Sequence, residues 1–369
     1  MHRTGPGWTP RPTRGSWHRA AAALCALLLA APHAQADDDA ALAAYRGPPS
    51  GWPAAQIDPG VAFVELAPLP DTPRATPRQR AQAALGRALF ADPRLSASGR
   101  IACASCHDPA RGWSVDQPVA LGIDGRRGRR NPPDLRQAGA HVPHGRWGWD
   151  GRGRTLAAQS LAPLTDPDEM GNASVQAVLA RLQALPGPAA RLTPASLGAA
   201  LAAHVLQAGA DASPTRYERF LRGERTALGP QELRGLHLFR TKARCVQCHH
   251  GPWLSDGLFH NLRLSSFGEP AEDRGRQRVS GRPEDTGAFR TPSLRRVAQS
   301  PPYLHNGLVA SLEGVVRLYM RGGGEVWARN AAEAAQPLYP HAARLSPLIR
   351  PLDLSDDEQA ALVAFLRTL

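Results

Sequence analysis

The chain has 369 residues, 42% of them hydrophobic, and a formal net charge of +12. This length is sufficient for two ordinary domains, each with a core of its own. A basic chain can bind nucleic acid, but no stripe of aromatic and basic residues supports that function here, and an acidic protein partner is the better interpretation.

Residues 1–36 have the pattern of a secretory signal peptide. An apolar run over residues 20–31 precedes the small-residue sequence AQA and is itself preceded by Arg3, Arg11, Arg14 and Arg19. The run is too short to span a bilayer comfortably, which disfavours a membrane anchor. We expect cleavage after Ala36, export to the periplasm and no membrane span in the mature protein. Loss of the four arginines lowers the net charge from +12 to +8.

Residues 37–76 are rich in proline and predict an extended segment over the surface. Two similar units follow. The first contains LGRALF at residues 85–90 in a predicted amphipathic helix, then a loop and CASCH at residues 103–107. The second contains LRGLHLF at residues 233–239, then CVQCH at residues 245–249. A last helix is predicted near the C-terminus, with Ser355 as its cap and Leu362, Phe365 and Leu366 on one face.

Both motifs match Cys-x-x-Cys-His, the attachment signature of a c-type haem. Two thiols bind the two vinyl groups of one haem, and the next residue then lies under the iron as axial ligand. The candidate residues are Cys103, Cys106 and His107 in the first unit and Cys245, Cys248 and His249 in the second. The fifth cysteine, Cys25, lies in the signal peptide, so none remains for a disulfide between other elements.

A redox dithiol and a zinc site are the alternatives for these cysteines. A thioredoxin-like dithiol has no need of the histidine that follows, and a zinc site would have to join two pairs that are distant in the chain. Two complete motifs in one exported chain favour two covalently bound haem groups.

The repeated units predict a mainly α-helical fold of two c-type cytochrome-like domains, each around one haem. In such domains a helix before the motif packs against the last helix of the domain, and a glycine lets the two backbones approach. We place the N-terminal haem domain at residues 77–225 and the C-terminal haem domain at residues 226–369, with the boundary near residues 222–230.

The loop after the first motif contains no side chain that would complete the iron coordination. Between Asp108 and Leu135 there is neither histidine nor methionine. His141 and His144 come later, and we expect them in an exposed loop, although either could bind the iron of an electron carrier. An open iron binds small molecules, and peroxide is the leading candidate in an exported haem protein.

Five segments resemble the bacterial di-haem cytochrome c peroxidases and their MauG relatives: RRNPPDL, GWDGRGRTLAAQSLAPLTDPDEMG, CVQCHHGPWLSDGLFHN, DTGAFRTPSLRRV and PPYLHNGLVASLEGVVRLY. Their order and spacing also fit. The resemblance extends from residue 77 to the C-terminus.

The resemblance implies roles for four residues. Trp149 matches the tryptophan between the two haems, Gln159 the active-site glutamine and Glu169 the distal acid. Pro163 matches a proline that lines the peroxide pocket. A carboxylate beside the iron can take a proton from the near oxygen of peroxide and return it to the far one. Judged alone, Glu169 would be a surface acid in a turn and Trp149 a core residue.

The resemblance also implies a calcium ion between the haems, with protein ligands at Asn131, Ser300 and Pro302. Ser300 stands where the family usually has threonine. This change has no effect if the ligand is the main-chain carbonyl.

The sixth ligand of the second haem decides the subclass. In the peroxidases it is a methionine, fourteen residues after the position of His305, and in MauG it is a tyrosine; this chain has Tyr319 there. Met320 lies about 100° further round a helix, so the two side chains cannot both face the iron. The resemblance favours Tyr319 and the MauG-like subclass, and the alternative is a one-residue shift that makes Met320 the ligand. A phenolate stabilises high oxidation states of iron, whereas methionine raises the reduction potential.

The resemblance implies a periplasmic di-haem peroxidase of the cytochrome-c peroxidase type. The first haem would react with hydrogen peroxide and share the oxidising equivalents with the second, electron-transfer haem through Trp149. A small acidic redox protein, a cytochrome c or a cupredoxin, would supply the electrons. One alternative is a MauG-like enzyme that oxidatively modifies a side chain of a partner protein. Others are a non-enzymatic di-haem electron-transfer cytochrome and a peroxide sensor.

Overall fold

The computed structural model describes residues 40–71, 73–184 and 187–369. The predicted signal peptide and its cleavage site lie outside these ranges. Within them the chain is mainly helical, as the repeated units predict. No helix in these ranges has the length and apolar character needed to cross a membrane.

Residues 40–45 are helical. The longer helices that follow are α1 (Pro77–Phe90), α2 (Leu156–Thr165), α3 (Val175–Gln183), α4 (Pro194–Ala210), α5 (Arg216–Leu221), α6 (Pro230–Arg240), α7 (Leu312–Met320) and α8 (Asp356–Leu366). Single-turn helices lie at Cys103–Cys106, Gln277–Ser280, Ala331–Ala334 and Tyr339–Ala342. A long 3-10 segment covers Leu135–His144. The strands β1 (Phe259–Asn261) and β2 (Ala288–Arg290) form a small antiparallel sheet in which His260 lies opposite Phe289.

The last helix begins where its sequence predicts. The Ser355 side chain accepts a hydrogen bond from the main-chain N–H of Glu358, and the Glu358 carboxylate accepts one from the Ser355 N–H. This reciprocal capping box satisfies two main-chain donors at the start of α8. The acidic residues of the first turn add a favourable interaction with the helix dipole.

Each cysteine motif is preceded by a helix that crosses a partner helix at very close range. A Cβ atom added to Gly86 of α1 would overlap the main-chain oxygen of Ala200 in α4. A Cβ atom added to Gly235 of α6 would overlap the oxygen of Ala361 in α8 in the same way. Only glycine allows these two crossings, and this geometry explains why both units share it.

The chain forms two separate hydrophobic cores. The first is built mainly from α1, α3 and α4, with Leu89, Val178 and Leu201 among its buried residues. The second is built mainly from α6, α7 and α8, with Phe239, Val316 and Phe365 among its buried residues.

Helix α5 belongs to the second core, although the predicted boundary at residues 225 and 226 assigns it to the first domain. Tyr217 and Phe220 are fully buried there, and Tyr217 packs edge-on against Phe365 of α8. The change from one core to the other therefore falls in residues 211–215, between α4 and α5. Local sequence patterns do not indicate this, because α5 is a short helix that joins its core through contacts with distant segments.

The proline-rich segment has neither helix nor strand over residues 61–71, but residues 40–45 are helical, and the segment is anchored in the second core and not simply laid over the surface. Its residues Tyr45, Trp52 and Leu66 are buried. The main-chain groups of Gln56 and Asp58 bond the side-chain amide of Gln247, inside the CVQCH motif, at 2.6 and 3.0 Å. These hydrogen bonds hold the CVQCH motif in place against the proline-rich segment.

Candidate functional site

Each Cys-x-x-Cys-His motif lines its own cavity. The first cavity contains Cys103, Cys106 and His107 in its wall. The second contains Cys245, Cys248 and His249. The rest of both walls is largely apolar, with Phe90, Leu156, Leu201 and Val205 in the first cavity and Phe239, Leu312, Val316 and Leu362 in the second.

The thiols are not arranged for disulfide exchange or for a shared zinc ion. Burial raises the pKa of Cys103 to about 12 and of Cys106 to about 11, the opposite of the depression found in reactive dithiols. Within the described ranges, the one group of three metal-ligating side chains joins Cys248 to Asp256 and His260. It leaves His249 and the other cysteines out, so it does not explain the motifs.

The two motif histidines are oriented in the same way. The Nδ1 atom of His107 lies 3.1 Å from the carbonyl oxygen of Trp113, and Nδ1 of His249 lies 3.0 Å from that of Leu254. A carbonyl only accepts hydrogen bonds, so Nδ1 carries the proton and Nε2 keeps its lone pair. Burial lowers the pKa of both imidazoles, which keeps them neutral. A neutral histidine held in this way is ready to bind a metal through Nε2, and the residues of both cavities therefore fit a covalently bound haem.

Helix α2 presents the predicted distal residues to the first cavity. Gln159 and Pro163 are four residues apart, so they lie on the same face of the helix, and both line the cavity. The Oε1 atom of Gln159 is buried without a hydrogen-bond partner within the described part of the chain. A buried polar atom of this kind needs a partner from whatever fills the cavity.

Glu169 lies in the turn that follows α2, as its sequence context predicts, and lines the first cavity. The turn is closed by main-chain hydrogen bonds from Glu169 and Gly171 to the oxygen of Asp166, at 3.2 and 2.9 Å. The main-chain oxygen of Glu169 also accepts a hydrogen bond from the N–H of Ile123 at 2.7 Å, which connects the turn to a neighbouring loop.

The pKa of the Glu169 carboxyl is raised to about 7, chiefly by burial and with the help of the nearby carboxylates of Asp166 and Asp168, against the opposing effect of Arg152 and Arg130. A carboxyl group with this pKa exchanges protons near neutral pH. The interpretation of Glu169 as an ordinary surface acid therefore does not fit its position.

A cleft that sequence reasoning missed adjoins the first cavity. Arg130, Arg152 and Glu169 line both the cavity and the cleft. Arg130 is held by Asp150 at 2.8 Å and by Asp273 at 2.6 Å. The run RRGRR in the sequence is the visible signal of this feature, but its acidic partners are distant in the chain.

Trp149 lies in the wall between the two cavities and contacts both of them. Its indole N–H donates to the carbonyl oxygen of Asn131 at 2.9 Å. Its ring meets that of His305 edge-on, with centroids 6.4 Å apart, and His305 stacks on Phe289 at 3.5 Å. The predicted position between two prosthetic groups is thus compatible with the structure.

The residues that line the second cavity distinguish the two candidate ligands on α7. Tyr319 lines the cavity. Met320 packs against the second core and is absent from the described lining residues. Burial raises the pKa of the Tyr319 phenol, and the neighbouring sulfur of Cys248 adds to the effect. In this arrangement the phenol and not the thioether faces the space beside His249.

The three predicted calcium ligands border the same cavity. Asn131, Ser300 and Pro302 all line the second cavity. The Asn131 amide donates to the carbonyl oxygens of Gln117 and Pro118 at 3.4 and 3.2 Å, which leaves its own Oδ1 atom available. A calcium ion at this place stays a prediction.

The expectation of an exposed loop at His141 and His144 was wrong for His141. His141 is only 7% exposed and lines the first cavity. Its Nδ1 atom accepts a hydrogen bond from the Arg290 guanidinium at 2.7 Å. Because arginine only donates, Nε2 carries the proton of the neutral ring, and neither nitrogen offers a free lone pair to iron. His144 packs over Gly257 and is not among the described lining residues of the first cavity.

Comparisons with known proteins agree on one family. The family model for the di-haem cytochrome c peroxidase, CCP_MauG, matches residues 80–226. The methylamine utilization protein MauG of Methylorubrum extorquens is 37% identical over 313 residues, 80% of each chain. The cytochrome-c peroxidase IdrP1 of Pseudomonas sp. strain SCT is 31% identical, over 84% of this chain and 86% of the relative. The crystal structure of the diheme peroxidase BthA from Burkholderia thailandensis superposes with a TM-score of 0.66 and 29% identity, and covers 83% of this chain and 89% of that one.

The paired cysteine motifs give a direct test of haem attachment. We expect Cys103→Ala/Cys106→Ala and Cys245→Ala/Cys248→Ala each to lose one covalently bound haem, because each pair supplies both thioether bonds of one cavity. The mass of the intact protein and the haem content per chain measure the loss. The wild-type protein, prepared in the same way, is the control and should carry both haems. Full covalent loading in either double variant would refute the assignment.

Proposed function

The chain belongs to the family of di-haem cytochrome c peroxidases and MauG proteins, and on this basis we propose that it reduces hydrogen peroxide in the first cavity with electrons that arrive through the second. As its relatives indicate, it is an oxidoreductase of the cytochrome-c peroxidase type. The observation that carries the proposal is the carboxyl group of Glu169, tuned to a pKa of about 7, in the same cavity as the CASCH motif.

Two haem c groups are the implied cofactors. Cys103 and Cys106 would hold the first, with His107 as axial ligand. Cys245 and Cys248 would hold the second, with His249 as axial ligand. The two cores and the two glycine crossings support one cytochrome-like domain around each haem, with the junction between α4 and α5. When bound, the haem iron supplies the site that peroxide binds and the electrons that the reaction removes.

Glu169 acts as the proton carrier of the reaction. As a carboxylate it takes the proton from the peroxide oxygen nearer the iron, and it then returns this proton to the departing oxygen as water forms. The Gln159 amide orients the peroxide, since its Oε1 atom is buried and unpaired among the described residues. Pro163 and the apolar wall keep other water out of the cavity. The cleft lined by Arg130 and Arg152 is the path by which peroxide reaches Glu169.

Trp149 connects the two cavities. It lines both, so it offers a path through protein for electrons that pass from the second haem to the first. The hydrogen bond to Asn131 fixes the ring in place. A calcium ion held by Asn131, Ser300 and Pro302 would brace the same wall.

Tyr319 is the proposed sixth ligand of the second haem. Burial raises the pKa of the Tyr319 phenol, so near neutral pH it needs an adjacent cation to lose its proton. The haem iron would supply that positive charge. A phenolate ligand favours the oxidised iron. The chain therefore corresponds to the MauG-like subclass, in which the diferric protein reacts without prior reduction.

The electron donor is external. We propose a small acidic redox protein, a cytochrome c or a cupredoxin, because the mature chain would carry a net charge of +8 and lie in the periplasm. A second candidate is the oxidative modification of a partner protein. The identity of 37% with MauG and the place of Tyr319 in the second cavity favour it. A pure electron carrier is disfavoured because His141 has no free lone pair and His144 is not among the described residues that line the first cavity.

Glu169→Gln should slow the reaction of the diferric protein with peroxide by about 10²–10⁴-fold, the usual effect of a positioned general acid–base. The wild-type rate should rise with pH through about 7, because burial raises the pKa of Glu169 to about 7 and only its carboxylate accepts the proton. Stopped-flow absorbance from pH 5 to 9 measures both effects.

Asp166→Asn is the matched control for this experiment. It removes a neighbouring negative charge that raises the pKa of Glu169, so the inflection should move to lower pH while the plateau rate stays. A Glu169→Gln protein with the wild-type rate would return Glu169 to the role of a surface acid.

Tyr319→Phe and Met320→Leu distinguish the two ligand assignments. Tyr319→Phe should remove the sixth ligand of the second haem and change its ferric absorption spectrum. Met320→Leu should leave the spectrum unchanged, because a swap of similar volume is tolerated in a core. The opposite pattern would make Met320 the ligand and place the protein nearer the ordinary peroxidases.

A further inference from the structure

Arg290 is a buried cation in the wall between the two cavities. It is 5% exposed, ends β2 and lines both cavities. Its Nε–H donates to the carbonyl oxygen of Gly148 at 3.0 Å, and its Nη1–H donates to Nδ1 of His141 at 2.7 Å. Its main-chain N–H donates to the oxygen of Trp149 at 2.8 Å.

No carboxylate of the described ranges forms an ion pair with Arg290. Other buried arginines have such a partner: Arg240 pairs with Glu65, and Arg295 lies 3.8 Å from Glu218. The acid that acts most on Arg290 is Asp150, whose carboxylate is already bonded by Arg130 and Arg152, each at 2.8 Å. All hydrogen-bond partners of Arg290 are thus neutral.

The charge of Arg290 persists at neutral pH. Burial lowers the pKa of its guanidinium only to about 10. A buried charge without a counter-ion is strongly unfavourable, so buried charges in proteins are almost always compensated. The Nη2 group forms no hydrogen bond with the described residues and is the remaining donor. An anion delivered by the contents of the cavities would complete the site.

We propose that Arg290 binds a propionate carboxylate of a haem and that its positive charge raises the reduction potential of that haem. Each haem carries two such carboxylates. The Nε and Nη1 groups are already bonded, since Nη1 also donates to the carbonyl oxygen of Thr291 at 3.2 Å, so Nη2 would donate to the carboxylate in a charge-assisted hydrogen bond. His141 is a positioning residue here, because it occupies Nη1 and fixes the direction of the guanidinium. The inference rests on the proposed haem assignment. Arg290 would thus influence the reduction potential of a haem from the same wall that holds Trp149.

The test compares Arg290→Gln, Arg290→Lys and the matched control Arg276→Gln. Arg276 also bonds this wall, through the oxygens of Asp150 and Gly151, but it is not among the described residues that line either cavity. Haem content per chain and the midpoint potentials of both haems are measured by spectroelectrochemistry. Removal of a nearby positive charge favours the oxidised haem, so Arg290→Gln should lower at least one potential. Arg290→Lys should restore most of it, and Arg276→Gln should leave both unchanged.

Wild-type potentials in a fully loaded Arg290→Gln protein would overturn the proposal, as would an equal fall in Arg290→Lys. If only the first or only the second potential moves, that haem holds the carboxylate. If Arg290→Gln does not fold, His141→Leu is measured in its place. This variant keeps the charge of Arg290 but removes the hydrogen bond from Nη1 to His141. The midpoint potential of the affected haem should then fall, by less than loss of the charge would lower it. Unchanged potentials in His141→Leu would then contradict the proposal. An Arg290→Gln protein with unchanged potentials that still reacts with peroxide would overturn this inference alone and not the proposed function.

Discussion

The wall between the two cavities depends on one hydrogen bond, from the indole N–H of Trp149 to the carbonyl oxygen of Asn131. Main-chain bonds extend it on both sides: the N–H of Asn131 donates to the oxygen of His305 at 2.7 Å, and the oxygen of Trp149 accepts from the N–H of Arg290. Segments that are distant in the chain are thereby fixed to one another. Because both cavities share this wall, the position of each depends on the same few bonds.

Burial raises the pKa of one acidic side chain on each side of the wall, and the chemical consequence differs between the two cavities. In the first cavity it raises the pKa of Glu169 to about 7, which makes a proton carrier out of an ordinary carboxyl group. In the second it raises the pKa of Tyr319, which makes the phenol depend on a cation for its deprotonation. The same desolvation thus prepares one cavity for proton transfer and the other for an anionic metal ligand. This division agrees with one peroxide site and one electron-transfer site.

The sequence predicted the features that depend on local patterns. The cysteine motifs, the glycines of α1 and α6 and the cap at Ser355 can all be recognised within a few residues of one another. The features that were missed depend on contacts between distant segments. His141 was expected in an exposed loop, but it lies buried in the 3-10 segment Leu135–His144. Its partner Arg290 follows it by 149 positions. The places of helix α5 and of the proline-rich segment in the second core were missed for the same reason, because both depend on contacts with distant parts of the chain.

The central claim is that the first iron has no protein ligand opposite His107, whereas the second has Tyr319. Low-temperature electron paramagnetic resonance of the diferric wild-type protein tests this most directly, since it reports the spin state of each iron before any reaction. The account predicts one high-spin ferric signal from the first haem and one low-spin signal from the second. Two low-spin signals would contradict it, because they would show that a side chain of this protein closes the first iron as well.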